Sequence, residues 1–219
     1  DDSNNNPSAF GRVVLAPRPN QPPTLTTTAL NPTFQEAPGL GTQAAAVAVF
    51  SAATDSTIEA GQNIIGLTFT VSGLLDGANE SLVVDGTTIT LGANSAGTTT
   101  TNAMSYNVTI VAGTATVALT KPAGVSTANI AALINGLTYQ NTNTDNPSAG
   151  NRVFTLTQIR DSGGTLNGGQ DTTALAIGST VNVVAVNDAP TASATALNPT
   201  FQEAPGLGTQ AAAVAVFSA

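Results

Sequence analysis

Apolar residues recur along this chain mostly at every second position, the spacing of a strand with one buried face. Ile65, Leu67, Phe69 and Val71 fall on one side of a predicted strand, with Thr68 and Thr70 on the other. Leu82–Val84 and Thr87–Leu91 flank Asp85-Gly86, a pair suited to a two-residue turn with positive φ, and predict a hairpin. A second hairpin is predicted where Tyr106, Val108 and Ile110 lead through Ala112-Gly113 to Ala115, Val117 and Leu119. Val153–Ile159 and Leu175–Val186 read as long strands, and Ala44–Phe50 as another whose alanines also suit a helix. One stretch departs from alternation. Ser126 is placed to cap a short helix carrying Ile130, Leu133 and Ile134, and Gly136 to stop it, which predicts a helix near 127–135. Many strands at short spacing with one connecting helix predict an all-β, antiparallel sandwich.

A long internal repeat sets the organisation. TALNPTFQEAPGLGTQAAAVAVFSA runs from Thr28 to Ala52 and again, without a difference, from Thr195 to Ala219, an offset of 167 residues. Pro23-Thr24 and Pro190-Thr191 keep the same offset, and so do Asn20 and Asn187. The expected organisation is a complete unit over 23–189 and the first strand region of a following unit over 190–219. Residues 1–22 read either as a divergent last strand and linker of a preceding element or as an unstructured leader, since DDSNNNPS is disorder-like. Taken together this is a section through a tandem array, whose units touch mainly their neighbours.

Composition narrows the chemistry. With no Cys and no His there is no thiol nucleophile, no Ser-His-Asp triad and no Cys/His zinc site. Lys121 is the single lysine, and a net charge of −8 with five cations gives nothing to neutralise a phosphate track. No apolar run approaches the roughly 18 residues of a membrane helix. Asp76, Glu80 and Asp85 are close enough in sequence to suggest paired glycosidase carboxylates, but no Trp and only two Tyr accompany them, so a solvated turn or sheet edge is the expectation. Lys121 invites an isopeptide bond to an Asn, while Pro122 beside it suggests a hairpin end. Gly163–Asp171 reads as a turn. We expect no enzyme.

Val186-Asn187-Asp188-Ala189-Pro190-Thr191 resembles the linker of bacterial cadherin-like, Ig-like repeats, which fill giant secreted adhesins and surface fibres. The likeness extends to FQEAPG, LTYQNTNTDNPSAGNR and TLTQIRDSGGT, over roughly 23–219, though the unit is longer than a plain cadherin domain. The resemblance implies calcium at the junctions, which asks for six to eight hard oxygen ligands. It assigns metal ligation to Asn187 and Asp188 in the linker, to Glu36 and its copy Glu203 near the first strand, and to Asp161 in RDSGG. Where Asn187-Asp188 has an acid, the earlier junction has Gln21, so that junction is expected to bind calcium weakly or not at all. The function implied is a structural repeat of an extracellular, cell-surface or secreted fibre. Its partners are neighbouring copies joined head to tail, with strand donation as one means. The alternative is an adhesion module for carbohydrate or a host surface.

Overall fold

The computed structural model describes residues 18–219 and realises the alternation as strands. The expectation for residues 1–17 lies outside the described residues. The chain divides into two units between Asn187 and Asp188. In the first, the elements in chain order are β1 (Thr24–Ala29), β2 (Thr33–Gln35), β3 (Val47–Ala48), β4 (Phe50–Ser56), β5 (Ile64–Ser72), β6 (Glu80–Val84) and β7 (Thr87–Thr90). They continue with β8 (Ser95–Thr98), β9 (Ser105–Val111), β10 (Thr114–Val125), α1 (Thr127–Asn135), β11 (Thr138–Asn141), β12 (Gly150–Asp161) and β13 (Thr172–Val184).

Both predicted hairpins form. Asp85 and Gly86 have φ of 50° and 75°, and Ala112 and Gly113 have 48° and 72°, the doubly left-handed turn that matches strand twist. The helix occupies α1, where the Ser126 side chain accepts a hydrogen bond from Asn129 N and Gly136 follows the last turn.

The strands assemble into a seven-stranded sheet, ordered β2-β13-β12-β5-β10-β9-β8, and a four-stranded sheet, ordered β3-β11-β6-β7; β1 pairs with β4 alone. One apolar core draws on both main sheets. Tyr139 of β11 sits edge-on between Phe34 of β2 and Phe154 of β12, with ring centroids 5.6 and 6.2 Å away. Edge-to-face pairs of this kind add about 0.5–1.5 kcal/mol each beyond the area they bury.

The expected all-β, sandwich-like fold is present, with one parallel pairing, β2 on β13, in the large sheet. Three expectations need correction. Ala44–Phe50 is not one strand: β3 pairs with β11, while Phe50 opens β4 and pairs with β1. In β5 the buried residue is Ile64 rather than Ile65, because the register with β12 slips between Arg160 and Asp161 and turns the strand end over. Lys121-Pro122 ends no hairpin, since β10 continues to Val125.

The second unit, described by itself, is a short antiparallel pair. In it β14 (Thr195–Ala196) meets β15 (Phe217–Ser218), with Thr195 opposite Ser218. Among the described residues no helix is long and apolar enough to cross a membrane.

Candidate functional site

The end of the first unit at which β12 finishes and β13 begins gathers polar side chains around Asn20. Asp161, the last residue of β12, is fully buried, and its Oδ1 accepts from Asn20 Nδ2 at 3.0 Å and from Gly163 N at 2.9 Å. Gln62 Nε2 donates to Asn20 Oδ1 at 2.8 Å, and Gln21 N donates to Glu59 Oε1 at 3.1 Å. The Asn20 backbone is tied down as well, its carbonyl accepting from Gln170 N at 2.9 Å while its side chain reaches Gln170 O at 2.7 Å.

Glycine makes this docking sterically feasible. A Cβ on Gly163 would lie 2.1 Å from Asn20 Oδ1, and one on Gly169 would lie 2.8 Å from Asn20 N. The Gly-rich stretch after Asp161, read from sequence as a turn, is therefore a notch that receives the incoming chain.

Three oxygens in this cluster are buried and accept no hydrogen bond: Asp161 Oδ2, Glu59 Oε2 and Gln62 Oε1. Buried polar atoms are ordinarily paired, so three orphaned hard acceptors in one place suit a hard cation. The set is lean in charge. Among the described residues no group of three or more His, Cys, Asp or Glu side chains is arranged to hold a metal ion, so amides, main-chain carbonyls and water must complete any shell.

Two of the sequence-predicted ligands, Asp161 and Glu36, stand at opposite ends of the first unit. Glu36 lies at the far end of β13, where its N donates to Val184 O and its Oε2 accepts from Val186 N at 2.7 Å, leaving Oε1 buried without a partner. From Thr172 to Val184 the strand spans roughly 40 Å at about 3.3 Å per residue, so Asp161 and Glu36 cannot share one ion. Glu203 is exposed in the second unit; Asn187 closes the first unit and Asp188 opens the second. Asn20, Glu59 and Gln62 were missed by the sequence reading. The signal for Asn20 was its 167-residue offset from Asn187.

The suggested glycosidase carboxylates are structural. Arg152 and Glu80 are both fully buried, Arg152 Nη2 reaches Asp76 Oδ2 at 3.4 Å, and Tyr139 OH donates to Glu80 Oε1 at 2.7 Å. Burial pushes the Tyr139 hydroxyl pKa up, and its bond to Glu80 pushes it further. Burial also acts to raise the Asp76 pKa, but hydrogen bonds from Ser148 and Asn141 and the Arg152 charge outweigh it, and the carboxyl stays below its ordinary range. Asp85 is taken up by Thr99 and Asn102. Lys121 Nζ donates to the main-chain carbonyl of Asn102 at 2.5 Å.

By fold, then, this is an all-β, sandwich-like protein with a polar docking site at one pole of its first unit. Protein-family models, curated proteins and solved structures were compared with the chain, and none matches.

Proposed function

We propose that the chain is a structural repeat of an extracellular surface fibre or large repetitive adhesin. Its sandwiches follow one another head to tail into an extended rod stiffened by calcium. The 167-residue repeat carries this reading. The docked linker supports it: Asn20 is built into the unit that follows it, and Asn187 stands one repeat later, placed to dock on the next unit's equivalents of Gln62 and Asp161. Asp188 occupies the position of Gln21 and adds a carboxylate beside the equivalent of Glu59, which makes that junction the tighter for calcium. In the first unit Glu59, Gln62 and Asp161 would hold the ion, which supplies charge that buried carboxylates otherwise lack.

A polypeptide of four units in tandem, joined by their natural linkers and imaged by electron microscopy with calcium or chelator, tests this. The expected particle is a rod with a repeat of roughly 40–50 Å, straighter with calcium. Units collapsed on one another in both conditions overturn the rod, and equal flexibility in both overturns the role of calcium.

A further inference from the structure

β7 is the last strand of the four-stranded sheet and β8 the last of the seven-stranded one, and residues 91–94 carry the chain from the first to the second. Thr87 ties the two edges together: its Oγ1 accepts from Thr100 N at 2.8 Å and shares a hydrogen bond with Thr100 Oγ1 at 2.9 Å. The crossing segment is held as well. Gly92 is pressed against Ala78, where a Cβ would meet Ala78 N at 2.5 Å, and Asn94 Oδ1 accepts from Ile110 N at 2.7 Å. The strands β7 and β8 do not themselves pair, and a cleft of about 310 Å³ opens beside them.

Its lining has two characters. Ala78 and the core residue Ile89 are apolar. Tyr106 adds an aromatic ring whose place is set by a missing side chain. Gly97 is its cross-strand partner, and a Cβ there would lie 2.8 Å from Tyr106 Cε1 and from its hydroxyl oxygen. A ring laid over an edge glycine in this way covers backbone that would otherwise stand bare.

The rest of the lining is hydroxyl and amide, from Thr88, Asn94, Ser95 and the Tyr106 phenol. Ser95 Oγ is buried and has no hydrogen-bond partner. Buried hydroxyls are ordinarily paired, and in a cleft the missing partner comes from a guest molecule. No Asp, Glu, Lys or Arg lines the cleft, so nothing there compensates the lost hydration of a charged guest.

We propose that this cleft binds one ring of a neutral sugar. A pyranose has an apolar C–H face and a girdle of hydroxyls that both donate and accept. The cleft matches each part, with Ile89, Ala78 and the Tyr106 ring for the face and uncharged hydroxyl and amide groups for the girdle. Its volume stands at the small end of ligand pockets, which suits a single ring rather than an extended chain. The inference goes beyond the rod reading and concerns one unit by itself. In an array, each repeat adds a further weak site, and avidity multiplies them on a surface that carries many glycans.

Amide NMR titration of the whole chain with glucose, galactose, mannose and N-acetylglucosamine tests this, with cyclohexanol as the apolar control. At least one of the four sugars should shift the amides of residues 92–97 saturably, with a Kd on the order of 1–10 mM, while cyclohexanol leaves them in place. Ser95→Ala/Tyr106→Phe removes two hydroxyls and keeps the packing, so it should melt as the parent does and bind that sugar about tenfold more weakly. No saturable shift with any of the four at concentrations tenfold above that range overturns the proposal. So does saturation by cyclohexanol, or full sugar affinity in the double variant. None of these results bears on the rod reading, which is judged by the shape of tandem units.

Discussion

Arg152 Nε donates to Glu80 Oε1 across 2.5 Å, with neither side chain in contact with water. The pair pins the loop before β6 to the start of β12, and Arg152 Nη2 also caps Ser148 O at 2.9 Å. Removing one member leaves the other as an uncompensated buried charge. Arg152→Ala should cost about 3–5 kcal/mol in chemical denaturation. Glu80→Gln should be destabilising as well, because its NH2 must face either the Leu75 and Asp76 N–H groups or Tyr139 OH and Arg152 Nε, none of which it can accept from.

Asp55 and Asp76 should give stability two limbs of opposite sign. Burial raises the Asp55 pKa from 3.8 to about 7, and both its oxygens lack partners. The native state then keeps a proton that the unfolded chain has lost, so stability falls as pH rises from about 4 to about 7 and levels off above. Asp55→Asn should flatten that limb in a pH series of melts. The Asp76 pKa is lowered, so its contribution is present above 3.8 and is lost in acid, and Asp55→Asn should leave that limb intact.

Gly163→Ala puts a methyl where Asn20 sits and should release the linker from the pole. Overpacking of this kind costs about 1–3 kcal/mol. Hydrogen exchange should report it locally, with Gln170 N, which donates to Asn20 O, losing protection while the β5 and β10 amides keep theirs.

Calcium should raise the melting temperature in proportion to its affinity for the native state. With 10 mM ion and a Kd on the order of 1 mM, linkage gives about 1.4 kcal/mol. Glu59→Gln should abolish most of that gain without altering the melt in chelator. An identical calcium response in both proteins would remove Glu59 from the site.

The elements that sequence made legible are those whose cause is local. Asp85-Gly86 and Ala112-Gly113 announce their turns because few other pairs accept two positive φ values, and Ser126 with Gly136 brackets the helix chemically. What stayed hidden depends on partners far along the chain. Nothing near Thr33 says that it will lie parallel to Asn182, and nothing near Ala44 says that the chain passes from a β11 pairing to a β1 pairing within a few residues. The candidate site was half visible for the same reason. Asp161 and the Asn-type linker stand out as residue types, but only the fold shows that the residue seated on Asp161 is Asn20, one repeat before Asn187. Glu59 and Gln62 carry no motif, and only the folding of β5 against β12 brings them to that pole.

The parallel pairing of β2 with β13 has a mechanical consequence. The chain enters the first unit at Asn20, beside the start of β13, and leaves past Val186, beyond its end. Tension between the two linkers therefore drags β2 toward one pole and β13 toward the other, along the strands rather than across them. The pairs from Thr33–Asn182 to Gln35–Val184, with the Glu36 carboxylate hooked on Val186 N, lie side by side across that direction of pull. They bear the load in shear and have to rupture together, where a hairpin pulled from its open end would unzip one rung at a time.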